Sequence, residues 1–309
     1  MISIVVPCYN EETIIQDFIV EIKKNIVNSS YNFEIIFIDN NSSDSTLNIL
    51  EKKIEDLTHS KIICLTNYFG KESAILAGLD VAKGDAVIIM DPDLEDPPEI
   101  ISDLIKFWKE GFDVVYAIRK SENISLAKKI IKKIFFFIFS IFLKKNYYIP
   151  ENTGDFRILD RKVVNHIINM RERTRFLRGL VSFVGLNQKG IPFDRPFRKK
   201  GKSKSNLSFL IDYGMDAMIS STSMPASLIT RFGIFLLLLI IFIFIFVLAN
   251  KFLSNPYQGF SFTILLILLL FSMNTIMIGI LGEYVVRIYN EVKKRPNYIV
   301  RKIIDNNKL

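Results

Sequence analysis

The sequence predicts an α/β domain with a mostly parallel sheet, followed by a C-terminal pair of membrane-crossing helices. Strand-length apolar runs alternate with helix-length segments through the first 118 residues. Two long uncharged stretches lie near the C-terminus. Finally, 309 residues that are 50% hydrophobic, with 26 Phe and a mean hydropathy of +0.27, are more apolar than a wholly soluble chain requires.

Strands are expected at 2–6, 33–38, 61–65, 86–90 and 113–117. Helical patterns lie between them at 12–28, 45–57, 72–82 and 97–110, the length of crossovers between parallel strands, so helices should cover both sheet faces. The start, MISIVVP, has no basic n-region and only a short apolar run, which does not read as a secretory signal. The N-terminal domain is therefore expected in the cytoplasm. Cys8 and Cys64 are too few for a disulfide framework or zinc site and are expected as buried thiols.

Residues 232–249 hold 18 residues without a charge and 257–282 another 26. Each can cross a hydrocarbon core of about 30 Å at about 1.5 Å per residue. The loop 250–256 carries one charge, Lys251, whereas Arg231 precedes the pair and Arg287, Lys293, Lys294 and Arg295 follow it. Positive-inside bias then puts both flanks in the cytoplasm and makes the pair a hairpin. Asn274, inside the second span, is expected to hydrogen-bond a neighbouring helix. The apolar run 134–143 is too short to span and is bracketed by Lys128, Lys129, Lys132, Lys133, Lys144 and Lys145. It reads as an interfacial helix with its lysines at the headgroups, or as a buried core helix on pattern alone.

Charge is divided along the chain. Residues 1–118 carry 9 Lys+Arg against 21 Asp+Glu, and residues 119–309 carry 31 against 11, a net −12 followed by a net +20. Basic residues beside apolar runs suit anionic headgroups or phosphorylated lipids, each juxtamembrane cation gaining about 1 kcal/mol. No nucleic-acid module accompanies them, so nucleic acid is not an expected partner.

Open parallel sheets bind ligands beyond the carboxyl ends of their strands. The first strand runs into Pro7, Cys8, Tyr9, Asn10, Glu11 and Glu12; the second into Asp39, Asn40, Asn41 and Ser42; the fourth into Asp91, Pro92 and Asp93. Asp39 and Asp44, each taken alone, read as helix caps. Neither G-x-G-x-x-G after the first strand nor G-x-x-x-x-G-K-[ST] occurs, which removes the main support for dehydrogenase or P-loop chemistry. Asp91 and Asp93, two carboxylates at i and i+2 of a tight turn, can instead share a divalent ion with a diphosphate. His59 and His166 have no partner at metal-ligand spacing, and Trp108 is expected to pack against the sheet.

The motifs VVPCYNEE, IDNNSSDST, DPDLEDPPE, TGDFRILDRKVV and RPFRKKGKSKSN, in that order, resemble the family 2 glycosyltransferases. Within that family the whole chain looks like the polyprenyl-phosphate glycosyltransferases, the group of dolichol-phosphate mannose synthase and the bactoprenol glucosyltransferases. The resemblance implies a GT-A nucleotide-sugar-binding domain at 1–227, with interfacial amphipathic helices at 124–145 and 205–230. A transmembrane hairpin at 228–288 and a basic cytoplasmic tail at 289–309 would follow. It implies metal-dependent, inverting transfer of one sugar, UDP-glucose by default, to polyprenyl phosphate at the cytoplasmic face of the plasma (inner) membrane.

The same resemblance assigns residues. Pro7, Tyr9, Glu11 and Asp39 would hold the nucleoside. Asp91 and Asp93, with Glu95, would bind Mg²⁺ or Mn²⁺ with the donor diphosphate. Asp155 would stand with Asp93 at the reacting centre, by the acceptor. Arg119, with Lys128 and Lys129, would meet the lipid phosphate, and Arg195, Arg198, Ser203 and Lys204 would clamp donor phosphates as a flap. Asn40 and Asn41 replace the family's usual Asp-Gly, Glu95 its Gln, and Phe183 a common Trp.

A lipid monophosphate has a second pKa of about 6 and is already largely an anionic nucleophile, so Asp155 is assigned to positioning first and proton removal second. A processive polysaccharide synthase is the second reading, but its Gln-x-x-Arg-Trp motif is absent. A membrane tether or transport-complex subunit is third, since two spans without buried charges make a poor conduit. Amphipathic surfaces near a membrane also favour a homo-oligomer.

Overall fold

The computed structural model describes residues 1–27, 29–120, 150, 152–173, 175–194 and 260–306, with part of 232–245. It divides into two compact units, Met1–Ser220 with Pro296–Leu309, and Ser221–Arg295.

The first unit is built on an eight-stranded sheet. In chain order its strands are β1 Ile2–Cys8, β2 Phe33–Asp39, β3 Ser60–Leu65, β4 Ala86–Ile89, β5 Val114–Arg119, β6 Thr153–Asp160, β7 Gln188–Phe193 and β8 Val300–Asn306. Their spatial order is β7-β5-β6-β4-β1-β2-β3-β8. The centre, β3-β2-β1-β4, is parallel throughout, and β7 is parallel to β5. β6 lies antiparallel between β4 and β5, and β8 pairs antiparallel with β3. The result is the expected α/β arrangement with a mostly parallel sheet.

Every residue of β1 and β2 is buried, because helices cover both faces and no polar alternation is needed. On one face lie α1 (Ile15–Val27), α2 (Thr46–Lys53) and α4 (Ile100–Lys109). In α1, the buried Ile15, Phe18, Ile19 and Ile22 follow helical spacing and place one stripe on the sheet. Burying one such side chain fully contributes about 1.5–3 kcal/mol. On the other face lie α3 (Lys71–Val81), α5 (Arg161–Asn169) and α6 (Leu177–Val184). Gly78 lets α3 sit close to the sheet, since a Cβ there would come within 2.4 Å of Val5 Cγ1.

The first five strands and four helices fall where the sequence predicts, within a few residues. The helix expected at 97–110 begins at Ile100, because Pro97 and Pro98 form a turn whose carbonyls accept from Ile100 and Ile101 N–H. Cys8 and Cys64 are free and buried. Trp108 packs against the core, and its Nε1 donates to Asp160 Oδ2 at 2.8 Å. The region expected as a basic tail carries β8, whose Ile304 packs on the core while Lys302 donates to Glu51 at 2.6 Å.

In the second unit, α7 (Phe260–Val292) contains Leu269–Val292, a stretch long and apolar enough to cross a membrane. The helix runs past the expected end at Gly282, and an Arg287–Glu283 ion pair of 3.1 Å offsets the charges of its last turns. Most of the first expected span, the loop after it, and the segments 124–145 and 205–230 lie outside the described residues.

Candidate active site

The carboxyl ends of β1, β2, β3 and β4 open on one edge of the sheet, and the antiparallel β6 brings Asp155 to the same edge. Asp39, the last residue of β2, is 1% exposed. Its Oδ1 accepts from Ser42 N–H at 3.2 Å, a turn rather than a helix cap, and its buried Oδ2 has no partner among the described residues. A buried carboxylate oxygen left without a donor is costly, so this atom suits the N–H or O–H of a ligand. Pro7 lies on β1 opposite Ile38. Glu11 N–H donates to Thr46 Oγ1 at 2.8 Å, tying the loop after β1 to the start of α2.

Tyr9, just past β1, packs against Tyr68, just past β3, with ring centroids 4.3 Å apart and ring planes tilted by 41°. The two tyrosines flank the strand that ends in Asp39. Asn40 fixes the second of these loops: its Nδ2 donates to Gly70 O and its Oδ1 accepts from Phe69 N–H, both at 3.0 Å. Asn41 has φ +59°, the left-handed conformation that Gly or Asn supplies most readily. The replacement of Asp-Gly by Asn-Asn therefore keeps the turn and adds an anchor for the next loop.

That loop ends in Lys71, the first residue of α3. Its ammonium donates to Asp91 Oδ2 and to Asp155 Oδ2, each at 2.7 Å. Arg178 of α6 donates from Nε to Asp155 Oδ1 at 3.1 Å, so both oxygens of this carboxylate, 5% exposed, meet cations. Burial alone would raise the Asp155 carboxyl, but Lys71, Arg178 and Arg157 hold it well below the usual carboxylate range. It is a firmly ionised group and a weak base. Beside it, burial and then the charge of Asp155 push Glu72 up to about 7, against Lys71 and Arg178.

Arg119, expected just beyond the fifth strand, is the last residue of β5. Its Nη2 lies 3.4 Å from Asp96 Oδ1. Burial pushes the Asp96 carboxyl up to about 7 against the pull of Arg119, with Asp91 and Asp93 adding to the rise. Arg119 Nε is buried and has no partner among the described residues.

Asp91 and Asp93 offer oxygen donors only, the chemistry that Mg²⁺ or Mn²⁺ prefers. The residues therefore fit such an ion. Asp91, Asp93 and Glu95 do not close into a three-carboxylate cage: no group of three ligating side chains occurs among the described residues. Lys71 takes Asp91, and Asp93 Oδ1 accepts from Glu95 N–H at 3.1 Å. Lys128, Lys129, Arg195, Arg198, Ser203 and Lys204 lie outside the described residues.

Sequence reasoning missed Lys71, Glu72, Tyr68 and Arg178. The first three share the short loop and helix start after β3, a strand end without an acidic motif that opens on the same edge. Arg178 carries no local signal, since its role depends on α6 packing near β6.

Residues 3–168 match the family model for glycosyl transferase family 2. The glycosyltransferase sll0501 of Synechocystis sp. is 38% identical over 301 residues, covering 97% of this chain and 94% of that protein. The SfII prophage-derived bactoprenol glucosyl transferase of Shigella flexneri is 36% identical over 304 residues, covering 97% of each. The glucosyl-3-phosphoglycerate synthase of Mycobacterium tuberculosis, solved with Mn²⁺, UDP and glucosyl-3-phosphoglycerate, is 16% identical at a TM-score of 0.46, covering 70% of this chain and 76% of that one.

Proposed function

The chain belongs to glycosyl transferase family 2 and is a glycosyltransferase, and on that premise we propose that it transfers a single sugar from a nucleoside diphosphate donor to polyprenyl phosphate at the cytoplasmic face of the membrane. UDP-glucose is the first donor to try. The near full-length similarity to a bactoprenol glucosyl transferase supports the acceptor class. The observation that carries the reading is the joining of Asp91 to Asp155 through the Lys71 ammonium, at the sheet edge where β1, β2 and β4 end.

In this reading the nucleoside lies along Tyr9 and Tyr68, with Asp39 Oδ2 accepting from its base or ribose and Pro7 and Glu11 shaping the loop. Asp91 and Asp93, with Glu95, would hold Mg²⁺ or Mn²⁺, which would supply charge neutralisation for the departing diphosphate. Arg119 meets the acceptor phosphate, and Arg195, Arg198, Ser203 and Lys204 close over the donor phosphates with Lys128 and Lys129 at the lipid side. Asp155, kept ionised, orients its cationic neighbours toward the reacting phosphates and removes no proton, because the phosphate nucleophile arrives already anionic. Direct attack of that oxygen on the sugar inverts the anomeric centre.

The return of the chain to β8 supports the two-span hairpin. Residues 296–309 belong to the same compact unit as residues 1–220, so the chain between them leaves that unit and comes back to it. An even number of crossings satisfies this, with α7 as one of them. The test is incubation of the purified full chain with radiolabelled UDP-glucose and undecaprenyl phosphate, with and without chelator. One labelled sugar per lipid, lost on chelation, is the expected product; a polymer, or no lipid-linked product with any donor, contradicts the proposal.

A further inference from the structure

Lys71 bridges two carboxylates, and each of them has another cation that can serve it. Asp155 keeps Arg178 on its other oxygen, 3.1 Å away. Asp91 belongs to the pair that fits a divalent cation. Lys71 is also 42% exposed at the side chain, although it bridges a carboxylate that is nearly buried. An ammonium has three N–H donors, and the two carboxylates take only two of them.

Resting on the glycosyl-transfer reading above, we propose that Lys71 is a phosphate-binding residue: it bridges Asp91 and Asp155 in the ligand-free protein and turns its ammonium to a phosphate oxygen when substrate enters. The corner holds Glu72, Asp91, Asp93, Glu95, Asp96 and Asp155, and Arg119 and Arg178 each already face one of these carboxylates, so an arriving phosphate gains from a further cation that can turn toward it. If Asp91 were taken up by a metal ion, Lys71 would be left with Asp155 alone and could turn toward a phosphate. Binding at the donor side is thereby linked to the setting of Asp155 at the acceptor side. The phosphate can be the diphosphate of the donor or the monophosphate of the lipid, and the chemistry is the same for both.

The experiment measures binding of two probes, UDP with Mg²⁺ and farnesyl phosphate, to the full chain in detergent by calorimetry. Wild type, Lys71→Met and Lys71→Arg are compared, with melting curves to establish that each is folded. Lys71→Gln, which keeps donors for both carboxylates without the charge, replaces Lys71→Met if the latter does not fold. The expected result is at least a tenfold loss of affinity for one probe in the Met or Gln variant, with Arg restoring it to within about threefold, as suits a charge-assisted contact. The probe that weakens identifies the phosphate. Unchanged affinity for both probes in a folded uncharged variant overturns this inference and leaves the proposed function standing. A wild-type protein that binds neither probe overturns both.

Discussion

The guanidinium of Arg119 lies over the backbone of Gly154: a Cβ at Gly154 would sit 2.9 Å from Arg119 Nη2. The glycine of the TGDFR segment is thus the floor on which Arg119, the cation proposed to meet the acceptor phosphate, rests, one residue before Asp155. Gly154→Ala should push Arg119 aside and raise the KM for lipid phosphate about ten- to hundredfold, the worth of a charge-assisted hydrogen bond. The KM for the donor should stay near wild type, and steady-state kinetics with each substrate varied in turn will separate the two.

Tyr68→Ala removes one ring of the pair whose centroids are 4.3 Å apart. If a base lies along these rings, loss of about 1 kcal/mol of stacking should weaken UDP binding roughly fivefold. Tyr68→Phe should bind as wild type. Equal affinity in all three proteins would remove Tyr68 from the donor site.

Asn40→Ala deletes both hydrogen bonds to the Phe69–Gly70 segment that presents Lys71. Destabilisation by about 1–3 kcal/mol is expected, with a larger drop in activity than in the fraction folded. Denaturant melts alongside assays at a fully folded condition will show whether the two effects separate.

Glu72 sets a pH dependence. Its carboxyl is raised to about 7 in the folded protein, from near 4.5 when free, so the folded state binds the extra proton over that interval. Its contribution is favourable at low pH and is lost as pH rises from about 4.5 through 7. Glu72→Gln keeps an acceptor for Leu177 N–H, which Glu72 Oε2 receives at 3.2 Å. This variant should be more stable than wild type at pH 8 by on the order of 1 kcal/mol, a gap that closes toward pH 5. Melting temperatures across that range will check the sign.

The central strands were readable because their residues are apolar on both faces and end in polar turns, as β1 does at Tyr9 and β2 at Asn40. β6 was not, since Asp155 and Arg157 interrupt its apolar run. Their burial is tolerable only where Lys71 and Arg178 reach Asp155 and where Arg157 Nη2 donates to Gly154 O at 2.7 Å. β8 escaped for a related reason. Arg301, Lys302 and Asp305 make it read as a charged tail, and only pairing with β3 turns it into an edge strand. At the site, strand ends that carried acidic motifs were found from residue pattern. Lys71 required knowing which carboxylates a tertiary fold would bring within 3 Å of each side of one ammonium.

The most direct test of the account follows product formation from UDP-glucose and undecaprenyl phosphate by wild type and by Asp91→Asn, with membrane association measured in parallel. The account predicts a single sugar on the lipid for wild type, and a loss of about a hundredfold or more for Asp91→Asn while the variant stays folded and membrane-bound. Wild-type-like turnover by Asp91→Asn would contradict it.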